Sequence, residues 1–191
     1  YEREKRWPAL IEIISRQKSR TRDVKGQVGH LERIGTLLAE KLFAPTQAVE
    51  VYREIVRLQP THQKAMRTLR ELYGQAGQYE ELEKLYGQQA QWDELCEVLM
   101  GLAERVERPE QKIDLYLRAA RVAKTELHSQ ERAQKAYERV LLVDENYLAA
   151  AQALAPIYKQ TEKWPRLLSM YEIQLSHAGT DEERHAPMHS L

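Results

Sequence analysis

Tyr73-Gly74-Gln75-Ala76-Gly77-Gln78-Tyr79 is echoed thirteen residues later by Tyr86-Gly87-Gln88-Gln89-Ala90-Gln91-Trp92, and this echo decides the architecture. In both stretches an aromatic residue follows a tyrosine at a distance of six, and the same spacing recurs at Tyr1/Trp7 and Tyr158/Trp164. Trp7 to Tyr79 is 72 residues, and Trp92 to Trp164 is also 72. A 72-residue unit therefore occurs twice, with a 13-residue element between the copies. At the combined shift of 85 the chain matches itself without a gap: Trp7 on Trp92, Leu10 on Leu95, Ala48 on Ala133, Tyr52 on Tyr137, Leu69 on Leu154 and Tyr73 on Tyr158. Tyr, Trp, Leu and Ala recur while most charged positions drift, as expected of a repeated packing unit whose surface is free to vary. The chain accordingly divides into 1–78 as a first unit, 79–91 as a short inserted helix, 92–163 as a second unit and 164–191 as the start of a third. The pattern predicts a piece of a longer array.

Inside each unit the apolar residues recur at three and four, the helical period. Residues 7–18 carry Trp7, Leu10, Ile11 and Ile14; residues 27–43 carry Leu31, Ile34, Leu38 and Leu42. Residues 46–58 carry Val51, Tyr52, Ile55 and Leu58, and residues 62–75 carry Ala65, Leu69, Leu72 and Tyr73. Pro8, Pro45, Pro109 and Pro165 fall at helix starts, where a missing N–H costs nothing. Pro156 lies inside a helix expected over 146–160 and predicts a kink near Gln152. Thr180-Asp181-Glu182-Glu183 reads as a capping box opening a last helix. No alternating strand pattern occurs, so the fold class is all-α, with about ten helices by this spacing.

Such helices cannot hide their apolar stripes alone, and stacking on neighbours buries them. Tyr52 and Tyr137 are the expected buried anchors, each costing about 3–5 kcal/mol on truncation to Ala. Ala48, Ala133, Gly35 and Ala120 are small where adjacent helices pass closely.

The 191 residues carry 29 Lys plus Arg against 29 Asp plus Glu, which gives no long-range pull towards nucleic acid or anionic lipid. Residues 1–25 hold a local basic excess, read as a solvated face and connecting loop. Eight glycines and seven prolines leave few turns, and 42% hydrophobic residues suffice for a core. The apolar runs are too short to span a bilayer. One cysteine, Cys96, excludes an intrachain disulfide and fits a reducing compartment. The opening Tyr1–Pro8 has no signal-peptide pattern, and cysteine usage does not separate cytoplasm from periplasm.

Catalysis needs a convergent set of reactive groups, and none is legible. The serines stand outside any strand–turn–helix elbow, and Gly26-Gln27-Val28-Gly29 opens a helix with no strand before it. His185 and His189 have a metal-ligand spacing, but Pro187 interrupts them and no third ligand is evident. Cys96, among Leu95, Val98 and Leu99, reads as a small buried residue. The expectation is a non-enzyme without cofactor or metal.

Ala48, Tyr52, Ile55 and Pro60, followed by Leu69 and Tyr73, resemble the second helix and the next first helix of a tetratricopeptide repeat (TPR). Ala133, Tyr137, Val140, Leu154 and Tyr158 repeat the pattern, with Glu145 in place of the closing proline. The resemblance implies a right-handed α-solenoid of stacked antiparallel helix pairs, without catalysis, whose first helices line a groove for a peptide or partner domain. By position that groove takes Glu32, Arg33, Thr36 and Glu40, then Lys64, Arg67, Glu71 and Gln75. The second copy contributes Arg118, Arg121 and Lys124, then Gln152 and Lys159. Arg118, Arg121 and Lys124 form a short basic stripe able to grip an acidic segment. A clamp for chaperone tails, which needs paired asparagines with lysines, is excluded by the single asparagine, Asn146. The Trp-x2-Leu helix starts also resemble large bacterial arrays, which implies a cytoplasmic scaffold of a multiprotein assembly. Two other readings remain at this point. One is a passive spacer in a long repeat protein. The other is an RNA-binding helical repeat, disfavoured by the zero net charge and the core-type positions of the aromatics.

Overall fold

The computed structural model describes the backbone of residues 6–185 and the side chains of residues 6–178. Among the described residues the chain is all-α, in ten helices: α1 (Trp7–Arg20), α2 (Val24–Glu40), α3 (Pro45–Leu58), α4 (Gln63–Ala76), α5 (Tyr79–Gly87), α6 (Trp92–Arg105), α7 (Pro109–Thr125), α8 (Gln130–Val143), α9 (Leu148–Gln160) and α10 (Trp164–His185). They form two compact units, Tyr1–Leu85 and Tyr86–Leu191. In the first, α1 packs on α2, α2 on α3 and α3 on α4; in the second, the helices from α6 to α10 pack in the same consecutive way. This is the neighbour-on-neighbour arrangement of a solenoid. Leu10, Ile14, Leu31, Ile55 and Leu69 fill the first core, and Leu95, Leu99, Leu115, Val140 and Leu154 the second.

The six-residue aromatic spacing is the footprint of a turn. After Tyr73 the residue Gly77 turns left-handed (φ 67°), the Gly77 N–H donates to Gly74, and the Gln78 N–H reaches back to the Tyr73 carbonyl at 2.9 Å. This pair of bonds is a Schellman closure, and it delivers Tyr79 as the first residue of α5. The closure recurs in register. Ala90 (φ 52°) and Glu162 (φ 56°) occupy the left-handed position, and Gln91 and Lys163 donate to the carbonyls of Tyr86 and Tyr158. A second closure recurs at the shift of 85. Phe43 and His128 are left-handed (φ 50° and 49°), with Leu42 donating to Leu37 and Leu127 to Val122. The backbone thus repeats even where the residue does not, although a left-handed non-glycine costs about 1–2 kcal/mol.

Several expectations need correction. The helix expected over 27–43 begins earlier, because Asp23 caps it by accepting from the Gly26 N–H at 2.7 Å, and ends earlier, because Phe43 turns left-handed. The helix expected over 146–160 starts two residues later, as Leu148–Gln160, with the exposed Pro156 inside it. No helix opens at Thr180: α10 runs continuously to His185, so the Thr180–Glu183 capping box opens nothing. Of His185 only the backbone is described, and Tyr1, Pro187 and His189 lie outside the described residues.

Tyr52 is a buried anchor at 3% exposure, but Tyr137 is only half-buried. The reason lies on the facing helix. Tyr52 lies over Gly35 so closely that a Cβ there would sit 2.8 Å from its Cζ. At the shift of 85, residue 35 becomes Ala120, so the counterpart of this close approach carries a methyl group where Gly35 has none. Tyr137 packs at the margin of the Ala151, Leu154, Tyr158 and Leu167 cluster. Gly35→Ala should therefore destabilise the protein by about 1–3 kcal/mol in urea unfolding, despite the gain in helix propensity. Tyrosine fluorescence quenching should show residue 52 more accessible in that variant.

Candidate functional site

Ion pairs show how alternate helices lie within each unit. On one side of the first unit, Lys18 of α1 reaches Glu54 of α3 at 3.0 Å, and Arg53 of α3 reaches Glu81 of α5 at 3.9 Å. On another, Glu32 of α2 lies 3.5 Å from His62 Nε2 and 3.7 Å from Lys64 Nζ, both at the start of α4. His62 is the N-cap of α4: its Nδ1 accepts from the Ala65 N–H at 3.1 Å, which leaves the ring proton on Nε2, directed at Glu32. The first unit thus has an α1/α3/α5 row and an α2/α4 row.

The second unit has a matching row of α6, α8 and α10. Arg132 of α8 meets Asp93 of α6 at 2.7 Å, Arg139 meets Glu104 at 3.8 Å, and Glu138 meets Arg166 of α10 at 2.9 Å. At the shift of 85, Arg53 becomes Glu138 and Glu81 becomes Arg166, so the same bridge is made with both signs reversed. Glu54 likewise becomes Arg139, and its partner changes from Lys18 to Glu104.

Glu138 is the busiest of these groups. It accepts from Tyr158 Oη at 2.7 Å, from Gln134 Nε2 at 2.8 Å and from Arg166 Nη1 at 2.9 Å, joining α8, α9 and α10. Burial pushes its carboxyl up, but these hydrogen bonds and the charges of Arg166 and Lys163 outweigh that and hold it below the 4.5 of an unperturbed glutamate. Burial, and then the bond to Glu138, push the Tyr158 hydroxyl up to about 12. Lys163 and Arg166 lie 5.9 and 5.8 Å from the centroid of its ring. Sequence reasoning did not find this cluster. Its signal was present: two charges 28 residues apart that both change sign between the copies.

The thirteen expected groove residues fall on α2, α4, α7 and α9. In the first unit they bring Glu32 to Lys64, and Arg67 pairs with Glu71 along α4 at 3.5 Å. Arg33, Glu40 and Gln75 are exposed, and Thr36 is half-buried. That strip is largely self-neutralised. In the second unit Leu117 and Ala149 stand where Glu32 and Lys64 stand in the first, so the corresponding bridge has no charges to make it. Arg118 is half-buried and held by Asp114 at 2.8 Å, while Arg121 and Lys124 of α7 and Gln152 and Lys159 of α9 are exposed.

Among the described residues no three His, Cys, Asp or Glu side chains are grouped to hold a metal ion, and no helix is long and apolar enough to cross a membrane. Cys96 is buried, with Sγ 3.8 Å from the Ala119 carbonyl oxygen, and burial raises its thiol further from the reactive thiolate.

No protein-family model matches the chain, and no curated protein matches it. Among solved structures it is similar to "Crystal structure of MamA", at 15% identity over 93% of this chain and 94% of that chain, with a TM-score of 0.37. It is similar to "MamA MSR-1 C2" at 16% identity over 92% of this chain and 91% of that chain, again with a TM-score of 0.37. At those values neither likeness carries an argument about function.

Glu138→Gln should lower stability at pH 7 by about 1–2 kcal/mol, the scale of charged hydrogen bonds. A carboxylate held below its ordinary value stabilises above the unfolded pKa and loses that contribution as pH falls through the folded one. The difference between the two proteins in thermal unfolding should therefore be full at pH 6 and shrink towards zero below about pH 4.

Proposed function

We propose that this chain is a non-catalytic, TPR-like module that binds another protein, and that the α7/α9 strip of the second unit makes the contact. The observation that supports this reading is the contrast between the two strips. In the first unit Glu32 and Lys64 satisfy one another, as do Arg67 and Glu71. In the second, Leu117 and Ala149 remove the bridging charges, and Lys124 of α7 and Lys159 of α9 present exposed cations from two helices. A strip with exposed positive charge on both helices suits an acidic segment of a partner, through charge-assisted hydrogen bonds that steer the encounter and set its register. On this reading the repeat division at 1–78, 79–91, 92–163 and 164–191 describes packing units, and the partner reads the surface of the second.

The test compares the chain with Lys124→Glu/Lys159→Glu as baits in lysate, checked for folding by circular dichroism. Captured partners would then be titrated by fluorescence anisotropy at two salt concentrations. We expect a partner with an acidic segment whose Kd rises about tenfold or more in the variant and weakens with salt. Equal capture by both baits would reject the α7/α9 contact. Capture of neither protein nor peptide would leave the chain as a spacer, and salt-sensitive binding of single-stranded RNA would replace the reading altogether.

A further inference from the structure

The last helix carries an uncovered apolar stripe. Trp164, Leu168, Tyr171 and Leu175 of α10 are 55%, 63%, 41% and 70% exposed, at spacings of four, three and four. These spacings place them on one helix face. The other face, with Leu167 and Met170, is buried against α9.

The 72-residue register gives the stripe a buried counterpart on α6. It aligns α10 with α6: Trp164 on Trp92, Leu167 on Leu95, Leu168 on Cys96, Tyr171 on Leu99 and Leu175 on Ala103. Leu95 and Leu167 are buried in both helices. Cys96, Leu99 and Ala103 are buried in α6, at 5%, 0% and 0% exposure. Helix α7 packs along α6, and its Ala119 carbonyl oxygen lies 3.8 Å from Cys96 Sγ. The three positions buried on α6, of which Cys96 touches α7, are the three that stand bare on α10. In the first unit α1, one shift of 85 earlier, is packed by α2 and buries Ile14 at the position of Leu99, with Ile11 and Lys18 half-buried at the positions of Cys96 and Ala103.

We propose that the stripe Leu168/Tyr171/Leu175, flanked by Trp164, is the docking face for one more amphipathic helix of the α2/α7 kind, continuing the stack. The substitutions describe its occupant. Leu168, Tyr171 and Leu175 are larger than Cys96, Leu99 and Ala103, so the incoming helix must present residues of glycine or alanine size, as α7 presents Ala119 beside Cys96. The proposal concerns a different surface from the α7/α9 strip and stands whether or not that strip binds a partner.

The experiment replaces residues 178–191 with a copy of 106–128, which sets an α7-type helix at the 72-residue register, and compares this chimera with the full chain by hydrogen exchange. We expect exchange over residues 164–177 to slow about tenfold or more in the chimera, and Leu168→Glu/Leu175→Glu to abolish the slowing. A synthetic peptide of residues 106–128 added to the full chain gives the second readout, a blue shift of Trp164 fluorescence absent from the Trp164→Phe protein. No slowing in a folded chimera together with no blue shift would overturn the proposal. A concentration-dependent dimer of the full chain in sedimentation, dissociated by Leu168→Glu/Leu175→Glu, would overturn it in favour of a second copy as the occupant.

Discussion

The stack depends on one turn. A tyrosine near the end of a helix offers its backbone carbonyl to the N–H five residues on, a left-handed residue between them reverses the chain, and the next residue but one begins a new helix. The turn satisfies carbonyls that the helix end would leave orphaned, and it fixes where the following apolar stripe begins. Tyr73, Tyr86 and Tyr158 have buried side chains while their carbonyls close the turn, so one residue type serves both core and connection. That double duty explains why tyrosine recurs at these positions. It also explains why Ala90 and Glu162 tolerate a conformation that favours the glycine found at Gly77.

A second constraint acts on the surface. The α1/α3/α5 and α6/α8/α10 rows are both laced by ion pairs, but the Arg53–Glu81 bridge of the first appears as Glu138–Arg166 in the second. Each exposed pair contributes little to stability alone. The reversal matters for pairing. If a helix of one copy docked in the place of its counterpart, Arg53 would face Arg166, or Glu138 would face Glu81. Like charges would then oppose the error in a chain whose apolar faces are nearly interchangeable.

Much of this architecture was legible from apolar periodicity and prolines, because helices α1 to α10 repeat their stripes at fixed positions. The core positions of Leu10, Leu69, Leu95 and Leu154 came from the same register. Three features were not legible, each for a physical reason. The difference in depth between Tyr52 and Tyr137 goes with a single methyl group on another helix, absent at Gly35 and present at Ala120. The Glu138 cluster depends on charges that drift when each is read alone and are coherent only when read as pairs. Helix α10 runs through Thr180, because a capping box opens a helix only where its first residue leaves the helical conformation, which a four-residue signal does not record. The groove residues were placed on α2, α4, α7 and α9, but their pairing was not foreseen: Glu32 with Lys64 and Arg118 with Asp114 leave the two strips electrostatically unlike.

The repeating turn is tested most directly by amide hydrogen exchange resolved residue by residue. The amides of Gln78, Gln91 and Lys163 lie between helices, in segments that would exchange freely as ordinary loops. Closure onto Tyr73, Tyr86 and Tyr158 predicts that all three are protected to a degree comparable with amides inside the adjoining helices. Exchange of these three at the rate of an unstructured chain, while the helices remain protected, would contradict it.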